Sequence, residues 1–369
     1  YKLAQALYTA LADRVQVDPA SFLDLVAVGT VADLAPLHME NRVLVSEGLE
    51  VINRLQRPGI NALANVSGLK RGAITAESIG FMLGPRINAA GRLEHAYSAA
   101  RLLAANNDYA AKQLADELNS LNRRRQTLTK DLGEMAERLV DPKKFILIAC
   151  NEEFQSGLVG LVASRLAEKY YRPTIVMETG SSESRGSCRS IPEFHITKAL
   201  DETADLLVRH GGHAQAAGFT IRNENLEEFS NRMSEIAARE LADKELAPVI
   251  EIDAEIEINE VDWALFETLK QLEPTGQGNP APVFISRNVE VANHRAVGQE
   301  GALLQMRLVS SNGAGAVRLV PAIAFRQGDW AQMLPQFIDI VYNIGVNEWN
   351  GRRDLQLVIR DIQPASGRK

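Results

Sequence analysis

Apolar residues recur at helical spacing through the first part of the chain. Leu3, Leu7 and Leu11 lie four residues apart, and Arg42–Leu55 resumes a helical period after Pro36 interrupts it. Such spacing places apolar side chains on one face of a helix. We therefore expect α/β or mostly helical structure in residues 1–95.

A longer helical pattern occupies residues 96–140. Seven apolar residues follow at spacings of three and four, interrupted only where Arg125 stands in the place of a leucine: Leu114, Leu118, Leu121, Leu128, Leu132, Met135 and Leu139. Asp141-Pro142 ends the pattern, because proline cannot continue a helix. The pattern predicts one long helix of the kind that connects two domains.

Buried strands and helices alternate in residues 143–245. The pattern predicts a strand at Phe145–Ala149, a helix at Leu158–Tyr170 and a strand at Thr174–Met177, which together form a βαβ crossover in a parallel sheet. A polar loop, a helix through Leu207, a glycine-rich turn and an amphipathic helix at 225–241 are expected to follow.

The pattern changes after Pro248 to the alternation of a half-buried sheet. Residues 250–258 alternate isoleucine with acidic residues, which predicts a strand with an acidic outer face. Further strands are expected at Val289–Val297, Leu303–Val309, Val317–Phe325, Ile338–Tyr342 and Leu355–Ile359. Short strands at this spacing are typical of a small β-barrel, and an oligonucleotide/oligosaccharide-binding (OB) fold is the leading choice.

Composition indicates a globular protein of two or three domains. The 369 residues are 46% hydrophobic and 24% charged, and no apolar run approaches the roughly 18 residues of a membrane helix. The two cysteines suit a reducing cytoplasm, where we expect the protein to act. The formal net charge of −7 means that any phosphate must be bound locally.

The stretch Arg209–Phe219 contains the strongest candidate chemistry. Gly211 and Gly212 permit close approach of a ligand to the backbone, and His213 can donate to a phosphate or exchange a proton near neutral pH. The alternative interpretation is a glycine turn with a histidine that is satisfied locally.

Two further segments suit a phosphate ligand. Residues 84–92 place two arginines, Arg86 and Arg92, and Asn88 among glycines and alanines. Residues 186–190 contain Ser187, Arg189 and Ser190 after a glycine. Guanidinium groups match phosphate oxygens in geometry and charge. Three such segments in one chain favour a phosphodiester or nucleotide ligand.

Asp33 is the candidate metal ligand, although one carboxylate cannot hold Mg²⁺ or Mn²⁺ alone. The sequence contains no Gly-x-Ser-x-Gly elbow, no Walker loop, no His-Glu-x-x-His and no zinc-type cysteine pairs. Hydride transfer and serine hydrolysis therefore have no support, whereas metal-assisted hydrolysis stays open.

These segments, in their order, resemble the RecJ family of single-strand DNA exonucleases in the DHH phosphoesterase superfamily. The resemblance covers essentially the whole chain and is weakest in the barrel. The segments that carry it are Gly29–Leu34, Gly84–Arg92, Gly157–Leu166, Gly186–Pro192 and Gly211–Gly218.

The resemblance implies an architecture and a set of roles. It implies the C-terminal part of a DHH catalytic domain (1–95), a long connecting helix (96–142), a DHH-associated substrate domain (143–245) and an OB-fold nucleic-acid-binding domain (246–369). Asp33 corresponds to a metal ligand. His213, as a catalytic and phosphate-binding residue, acts beside Gly211 and Gly212. Arg86, Ser187 and Arg189 correspond to positions that receive the 5′ end and its phosphate. Asn88 and Ser190 are the remaining phosphate-binding positions.

The resemblance further implies a processive 5′ to 3′ exonuclease of single-stranded DNA in repair and recombination, using two Mn²⁺ or Mg²⁺ ions. The family's other metal ligands, including its Asp-His-His triplet, do not occur in this sequence. We therefore expect an N-terminally truncated chain that does not cleave by itself. Cys188, where the family often has glycine, is expected to tighten the phosphate loop.

Two other interpretations stay open. One is a DHH-type phosphodiesterase of short oligonucleotides or cyclic dinucleotides, and the other is a non-catalytic DNA- or protein-binding module. The expected partner is single-stranded DNA, with a helicase or a single-strand-binding protein as a further candidate and no membrane. In the favoured interpretation, Asp33 and the glycine-histidine stretch face one gap.

Overall fold

Helices fill the described part of the chain up to residue 139. A computed structural model describes residues 1–11, 14, 17–54, 56–70, 72–312, 316–349 and 351–365. The helices are α1 (Lys2–Ala10), α2 (Leu23–Ala32), α3 (Met39–Asn53), α4 (Pro58–Val66), α5 (Ala76–Ser78), α6 (Gly84–Leu93), α7 (Tyr97–Leu103) and α8 (Asp108–Leu139). A π-helical turn, Ile79–Leu83, leads directly into α6.

The long helix is shorter than its apolar pattern predicted. Residues 96–140 form two helices, because Asn107 caps α8: its side chain accepts a hydrogen bond from the Ala110 N–H at 2.9 Å. Leu118 and Leu132 are buried along the predicted seam of α8. Arg125 and the buried Asn122 also lie on this seam, so polar side chains interrupt the apolar face near the middle of the helix.

A five-stranded mixed sheet follows α8. Its strands and helices are β1 (Leu147–Asn151), α9 (Ser156–Tyr170), β2 (Thr174–Thr179), β3 (Glu183–Arg189), α10 (Ile196–Asp201), β4 (Leu207–Gly212), β5 (Ala216–Arg222) and α11 (Leu226–Leu241). The strand order is β1-β2-β3-β5-β4. β1 and β2 are parallel across α9, which confirms the predicted βαβ crossover, and the other pairs are antiparallel.

Two predictions for this region are wrong in detail. The helix expected to run through Leu207 ends at Asp201, and Leu207 begins β4. A turn is expected at Gly211 and Gly212, but both residues lie inside β4. They pair with Gly218 and Ala217 of β5. Pairing with β5 decides the conformation here, because sheet formation depends on the neighbouring strand more than on local propensity.

Separate apolar cores pack against the two faces of the sheet, and the core on the α8–α9 side lies over β1 and β2. Leu132, Leu158 and Val176 belong to the core between the sheet and α8–α9. Phe219 and Phe229 belong to the core under α10 and α11, and their rings lie 4.9 Å apart between centroids. Each strand therefore presents alternate residues to two different environments.

The last part of the chain forms a closed barrel. Its elements are β6 (Ala254–Glu255), α12 (Trp263–Leu269), β7 (Phe284–Val297), β8 (Leu303–Asn312), β9 (Ala316–Phe325), β10 (Phe337–Trp349) and β11 (Arg352–Pro364). The order is β10-β11-β9-β8-β7-β6, and β10 also pairs with β7, so five strands close on themselves. This confirms the predicted OB-like barrel.

The strand predicted over residues 250–258 is wrong for most of its length. Only Ala254–Glu255 pairs with β7. A turn of 3₁₀ helix begins at Ile258, where the side chains of Glu257 and Glu260 cap it, and this turn ends the extended segment.

The chain divides into two compact units. The first comprises Tyr1–Asp33 and Glu47–Val249, and the second comprises Leu34–Ser46 and Ile250–Lys369. Within the second unit, the Leu37 N–H donates to the Gln277 carbonyl at 2.6 Å. In the part of the chain that the structure describes, none of the helices combines the length and apolar composition needed to cross a bilayer.

We predict that two glycines of the sheet respond differently to a methyl group. A Cβ at Gly186 would overlap the Phe219 ring, so Gly186→Ala should lower the free energy of unfolding by about 1–3 kcal/mol. A Cβ at Gly211 meets nothing within 4 Å, so Gly211→Ala should leave stability equal or slightly higher. Urea unfolding followed by circular dichroism measures both, and equal midpoints for the two variants would contradict the packing at Phe219.

Candidate functional site

One face of the sheet contains four of the eight predicted phosphate-binding residues: Ser187, Arg189, Gly211 and His213. Residues paired across β3, β5 and β4 point to the same side, which gives three rows on what we call the open sheet face. The rows are Arg189–Ala216–His213, Ser187–Gly218–Gly211 and Arg185–Thr220–Arg209. His213 joins the first row because its N–H donates to the Ala216 carbonyl at 2.8 Å.

Helix α9 covers β2 and β3 on this side, and Gly160 makes that contact close. A Cβ built on Gly160 would lie 3.1 Å from both the Ser187 Oγ and an Arg189 guanidinium nitrogen. Arg189 Nη1 donates to the Ser187 Oγ at 3.2 Å and to the Cys188 carbonyl at 2.7 Å. The Ser187–Arg189 pair is therefore held in place by α9 and by its own strand.

Arg92 extends this site from the end of α6. Gly157, at the start of α9, packs against the Arg92 carbonyl with no room for a methyl group, and Arg92 Nη1 lies 3.5 Å from the Gly157 carbonyl. Burial, and then the neighbouring Arg189 guanidinium, lower the pKa of Arg92. The two arginines therefore repel each other across a short distance.

Arg125 joins the same region from α8. Its Nε is buried and, among the described residues, has no hydrogen-bond partner. Burial lowers the pKa of Arg125, and the Arg92 and Arg165 guanidinium groups lower it further. Arg165 projects from α9 toward Gly133, where its Nη1 lies 4.0 Å from the position of an added Cβ.

We call Arg92, Arg125, Arg165 and Arg189 the arginine cluster. None of the four forms an ion pair with a carboxylate in the described part of the chain. Like charges that share a partly buried site raise its electrostatic free energy unless an anion enters. The arrangement is thus suited to bind a phosphate.

Arg86 lies on another side of α6 and is fixed by α8. Its Nε donates to the Asn119 Oδ1 at 3.0 Å, and its Nη1 donates to the Met82 carbonyl at 2.6 Å. Burial, followed by Arg123, lowers the pKa of Arg86. Asn88 is exposed on α6, one turn before Arg92.

Gly212 and Ser190 support the shape of the site. Gly212 has φ +157°, and a Cβ there would meet Ala217, so this position requires glycine. Because residues 213 and 216 form a hydrogen-bonded pair, alternation along the hairpin directs the Gly212 N–H to the free edge of β4. The Ser190 hydroxyl donates to the Phe194 carbonyl at 2.6 Å.

The His213 backbone is fixed and its side chain is exposed. Thr197 Oγ1 donates to the His213 carbonyl at 2.7 Å, and the Ser190 N–H donates to the Gln215 carbonyl at 2.9 Å. The first bond fastens the hairpin turn to α10, and the second fastens it to the end of β3, beside Arg189.

Asp33 is exposed at the end of α2. The preceding Ala32 packs against Gly84, so Asp33 lies beside the start of α6, the helix that carries Arg86 and Arg92. The described residues contain no group of three or more histidine, cysteine, aspartate or glutamate side chains that could hold a metal ion. Asp33 is therefore insufficient to form a divalent-metal site with the described residues alone.

The prediction that Cys188 tightens the phosphate loop is wrong. Cys188 is fully buried in the core under α10 and α11, on the opposite face of β3 from Ser187 and Arg189. Alternation along a strand separates these residues, and Gly186–Arg189 is strand rather than loop.

The sequence interpretation included Arg92 only as the second arginine of the 84–92 segment, and it assigned no role to Arg92, Arg125 or Arg165. A signal for Arg125 was present, since a cation in an apolar seam must face a polar interior or an anion. Arg165 gave no comparable signal, because its position depends on how α9 crosses α8.

Comparisons with known proteins identify two domain families. The DHHA1 domain matches residues 143–239, and the RecJ OB domain matches residues 252–361. The single-stranded-DNA-specific exonuclease RecJ of Bacillus subtilis is 33% identical over 368 residues, covering 98% of this chain and 45% of that protein.

Solved structures of RecJ also match this chain. Crystal structures of RecJ from Thermus thermophilus, in complex with Mg²⁺ and with Mn²⁺, match with TM-scores of 0.84 and identities of 32% and 33%. Each match covers 98% of this chain, and 55% and 52% of the respective crystallised chains. The chain thus spans about half the length of these relatives.

The opposite orientations of Ser187 and Cys188 can be tested with thiol chemistry. Burial strongly raises the pKa of the Cys188 thiol, whereas Cys150 is half-buried. Iodoacetamide at pH 8 should therefore label Cys150 and leave Cys188 unmodified in the folded chain, as read by peptide mass spectrometry. Urea-unfolded protein, labelled at both sites, is the control. Rapid labelling of Cys188 in the folded chain would contradict its burial on the face of β3 opposite Ser187.

Proposed function

The chain belongs to the RecJ family of single-stranded-DNA-specific exonucleases, and we propose that it provides the phosphate-binding and strand-binding parts of such an enzyme. The observation that carries this proposal is the arginine cluster, which lacks carboxylate partners among the described residues and adjoins Ser187. The enzyme would hydrolyse single-stranded DNA from the 5′ end during repair and recombination.

A terminal 5′-phosphate would bind between Arg189, Ser187 and Arg92. Arg189 already donates through Nη1, so its remaining N–H groups and the Ser187 hydroxyl can point to phosphate oxygens. The dianion would relieve the repulsion that lowers the pKa of Arg92. Arg125 and Arg165 would act mainly by adding positive electrostatic potential at the position of the phosphate.

The other predicted residues would complete the site. Arg86 and Asn88 would meet phosphates from α6, and Gly212 would offer the N–H at the free edge of β4. The exposed imidazole of His213, in the same row as Arg189, would donate a hydrogen bond to the phosphate and serve the reaction there. We propose that Ser190 contributes by holding the turn rather than by contact.

Asp33 would be one ligand of a divalent-metal site for Mn²⁺ or Mg²⁺. Such ions activate water and neutralise charge on a phosphodiester when bound. The remaining ligands would come from the part of the relatives that this chain does not cover, so we expect no cleavage by this chain alone.

The barrel would hold single-stranded DNA by stacking and charge. Trp263 is exposed, and the Arg353 guanidinium carbon lies 5.7 Å from the centre of its ring, which suits a base-stacking position. Tyr342 is unsuited to stacking, because it is fully buried and bonded to Ser286 at 2.8 Å. A helicase or single-strand-binding protein as partner, and a cytoplasmic location, remain part of this proposal.

We predict that the chain discriminates between single-stranded and duplex DNA. Fluorescence anisotropy with a 3′-labelled oligonucleotide, alone or annealed to its complement, should give tighter binding to the single strand. The logarithm of the affinity should fall with the logarithm of salt concentration, by about 0.7 per phosphate bound. Equal affinity for both forms would refute the proposal of a single-strand site.

We also predict that Arg189→Ala weakens binding to a 5′-phosphorylated strand by about 1–3 kcal/mol, because charge-assisted hydrogen bonds are lost. Arg189→Ala should weaken binding of the same strand with a 5′-hydroxyl much less. Arg239→Ala is the matched control, since Arg239 is exposed on α11, against the other face of the sheet. An unchanged dissociation constant for Arg189→Ala would remove that residue from the site.

A further inference from the structure

The open sheet face extends beyond the residues assigned above. An open cavity of about 380 Å³ lies over its far end, two rows away from Arg189. Arg185, Arg209, Thr220, Gly211 and Gly218 are among the residues that line it. Helix α9 covers β2 and β3 here but leaves Gly218 and Gly211 exposed to solvent.

The two arginines of the far row have free hydrogen-bonding capacity. Arg185 is exposed and, in the described part of the chain, its side chain forms no hydrogen bond or ion pair. Arg209 donates only through Nε, to the Thr220 Oγ1 at 3.2 Å, which leaves both terminal nitrogens available. That bond also fixes the guanidinium on the same face as Arg185.

Two carboxylates lie near this row without forming an ion pair to it in the described part of the chain. Glu183 is exposed two residues before Arg185, on the same side of β3. Glu178, opposite Arg185 on β2, accepts from the Ser156 N–H at 3.1 Å, at the start of α9. Asp201 pairs with His210, a residue that points to the other side of β4. Neither arginine of the far row therefore forms an ion pair with a described residue, and both guanidinium groups can still bind an anion.

Packing does not account for the glycines of the middle row. Gly211 has open space where a Cβ would point, and the nearest atom at Gly218 is 3.6 Å away. Neither has a positive φ that would require glycine. Glycine within a strand costs about 0.5–1 kcal/mol relative to alanine, and it often marks a place where a ligand approaches the backbone.

The rows are spaced so that one strand of nucleic acid can contact both ends. Arg185 lies four residues from Arg189 along β3, a separation of roughly 13 Å at the rise of an extended strand. The Ser187–Gly218–Gly211 row lies between them. A ligand that begins at Arg189 and reaches Arg185 must therefore pass over the exposed glycine backbone.

We propose that Arg185 and Arg209 form a second phosphate subsite, which binds an internal phosphodiester of the strand whose terminal phosphate lies at Arg189. The nucleotide between the two subsites rests on the backbone of Gly211 and Gly218. This inference rests on the proposed function and adds the position of a second contact. Because the subsite requires an internal linkage, it favours strands over mononucleotides.

The test combines arginine variants with neutral linkages. The probe is a 5′-phosphorylated, 3′-fluorescein-labelled oligothymidylate of eight nucleotides, with one methylphosphonate moved through its first four linkages. With the unmodified chain, one inner neutral linkage should weaken binding on the order of 10-fold, the loss of one charge-assisted contact. Arg185→Ala and Arg209→Ala should each weaken binding of the all-phosphate probe comparably.

The decisive readout is the coupling between variant and linkage. In Arg185→Ala or Arg209→Ala, the sensitive linkage should become insensitive, because its partner is already gone. Arg239→Ala should keep the full pattern of sensitivity. Arg185→Lys and Arg209→Lys should recover part of the affinity, and circular dichroism confirms that each variant folds.

A second pair of variants probes the glycine backbone. In Gly211→Ala and Gly218→Ala the added methyl group fits without a clash, so both variants should fold. They should still weaken binding of the eight-nucleotide probe, because the methyl group keeps the nucleotide away from the strand backbone. Binding of both variants at full affinity would overturn the placement of the nucleotide on this row.

The outcomes separate the two proposals. If the unmodified chain fails to bind the probe, or Arg189→Ala has no effect, the proposed function fails. If Arg189→Ala weakens binding while Arg185→Ala and Arg209→Ala match Arg239→Ala, only the second subsite is overturned. The second subsite would also be overturned if the same linkage stayed sensitive in the Arg185 and Arg209 variants. These variants would then weaken binding through the change in net charge and not through loss of a contact to that linkage.

Discussion

The register between β3, β5 and β4 is the constraint on which the site depends. It aligns Arg189, Ser187 and Arg185 with their row neighbours, and it directs Cys188 and Phe219 into the opposite core. A slip of one residue would exchange the two faces, burying guanidinium groups and exposing aromatic rings. The apolar core under α11 therefore fixes the positions of the polar residues on the other side of the sheet.

The arginine cluster stores electrostatic free energy that a ligand can release. Arg125 occupies a position in the seam of α8 where an apolar side chain would pack without repulsion, and its Nε has no partner among the described residues. Desolvation and mutual repulsion lower the pKa of Arg92 and Arg125. A bound anion would reverse the repulsive part, so the free chain gives up stability at the place where we propose that a phosphate binds.

Regular patterns made much of the fold predictable, whereas pairing between distant residues did not. The βαβ crossover and the five barrel strands followed from apolar runs. The segment 186–190 singled out Ser187 and Arg189, which are hydrogen-bonded to each other on β3, and their phosphate-binding role stays a prediction. Strand β4 was missed because its sequence, rich in glycine, gains extended structure only by pairing with β5. Arg165 was missed for a related reason, since the crossing of α8 and α9 brings it to Gly133.

Three glycine contacts connect Asp33 to Ser187 and Arg189, the candidate phosphate-binding residues of β3. Gly84 meets Ala32, Gly157 meets the Arg92 carbonyl, and Gly160 meets the Ser187–Arg189 pair, in each case with little or no space for a methyl group. The path runs from the end of α2 through α6 and α9 to β3, so each backbone approaches its neighbour at the shortest distance that side chains allow. In-line attack on a phosphodiester tolerates little error in position. Close backbone packing, rather than flexible side-chain contact, would hold a carboxylate and a phosphate at one distance in the proposed site.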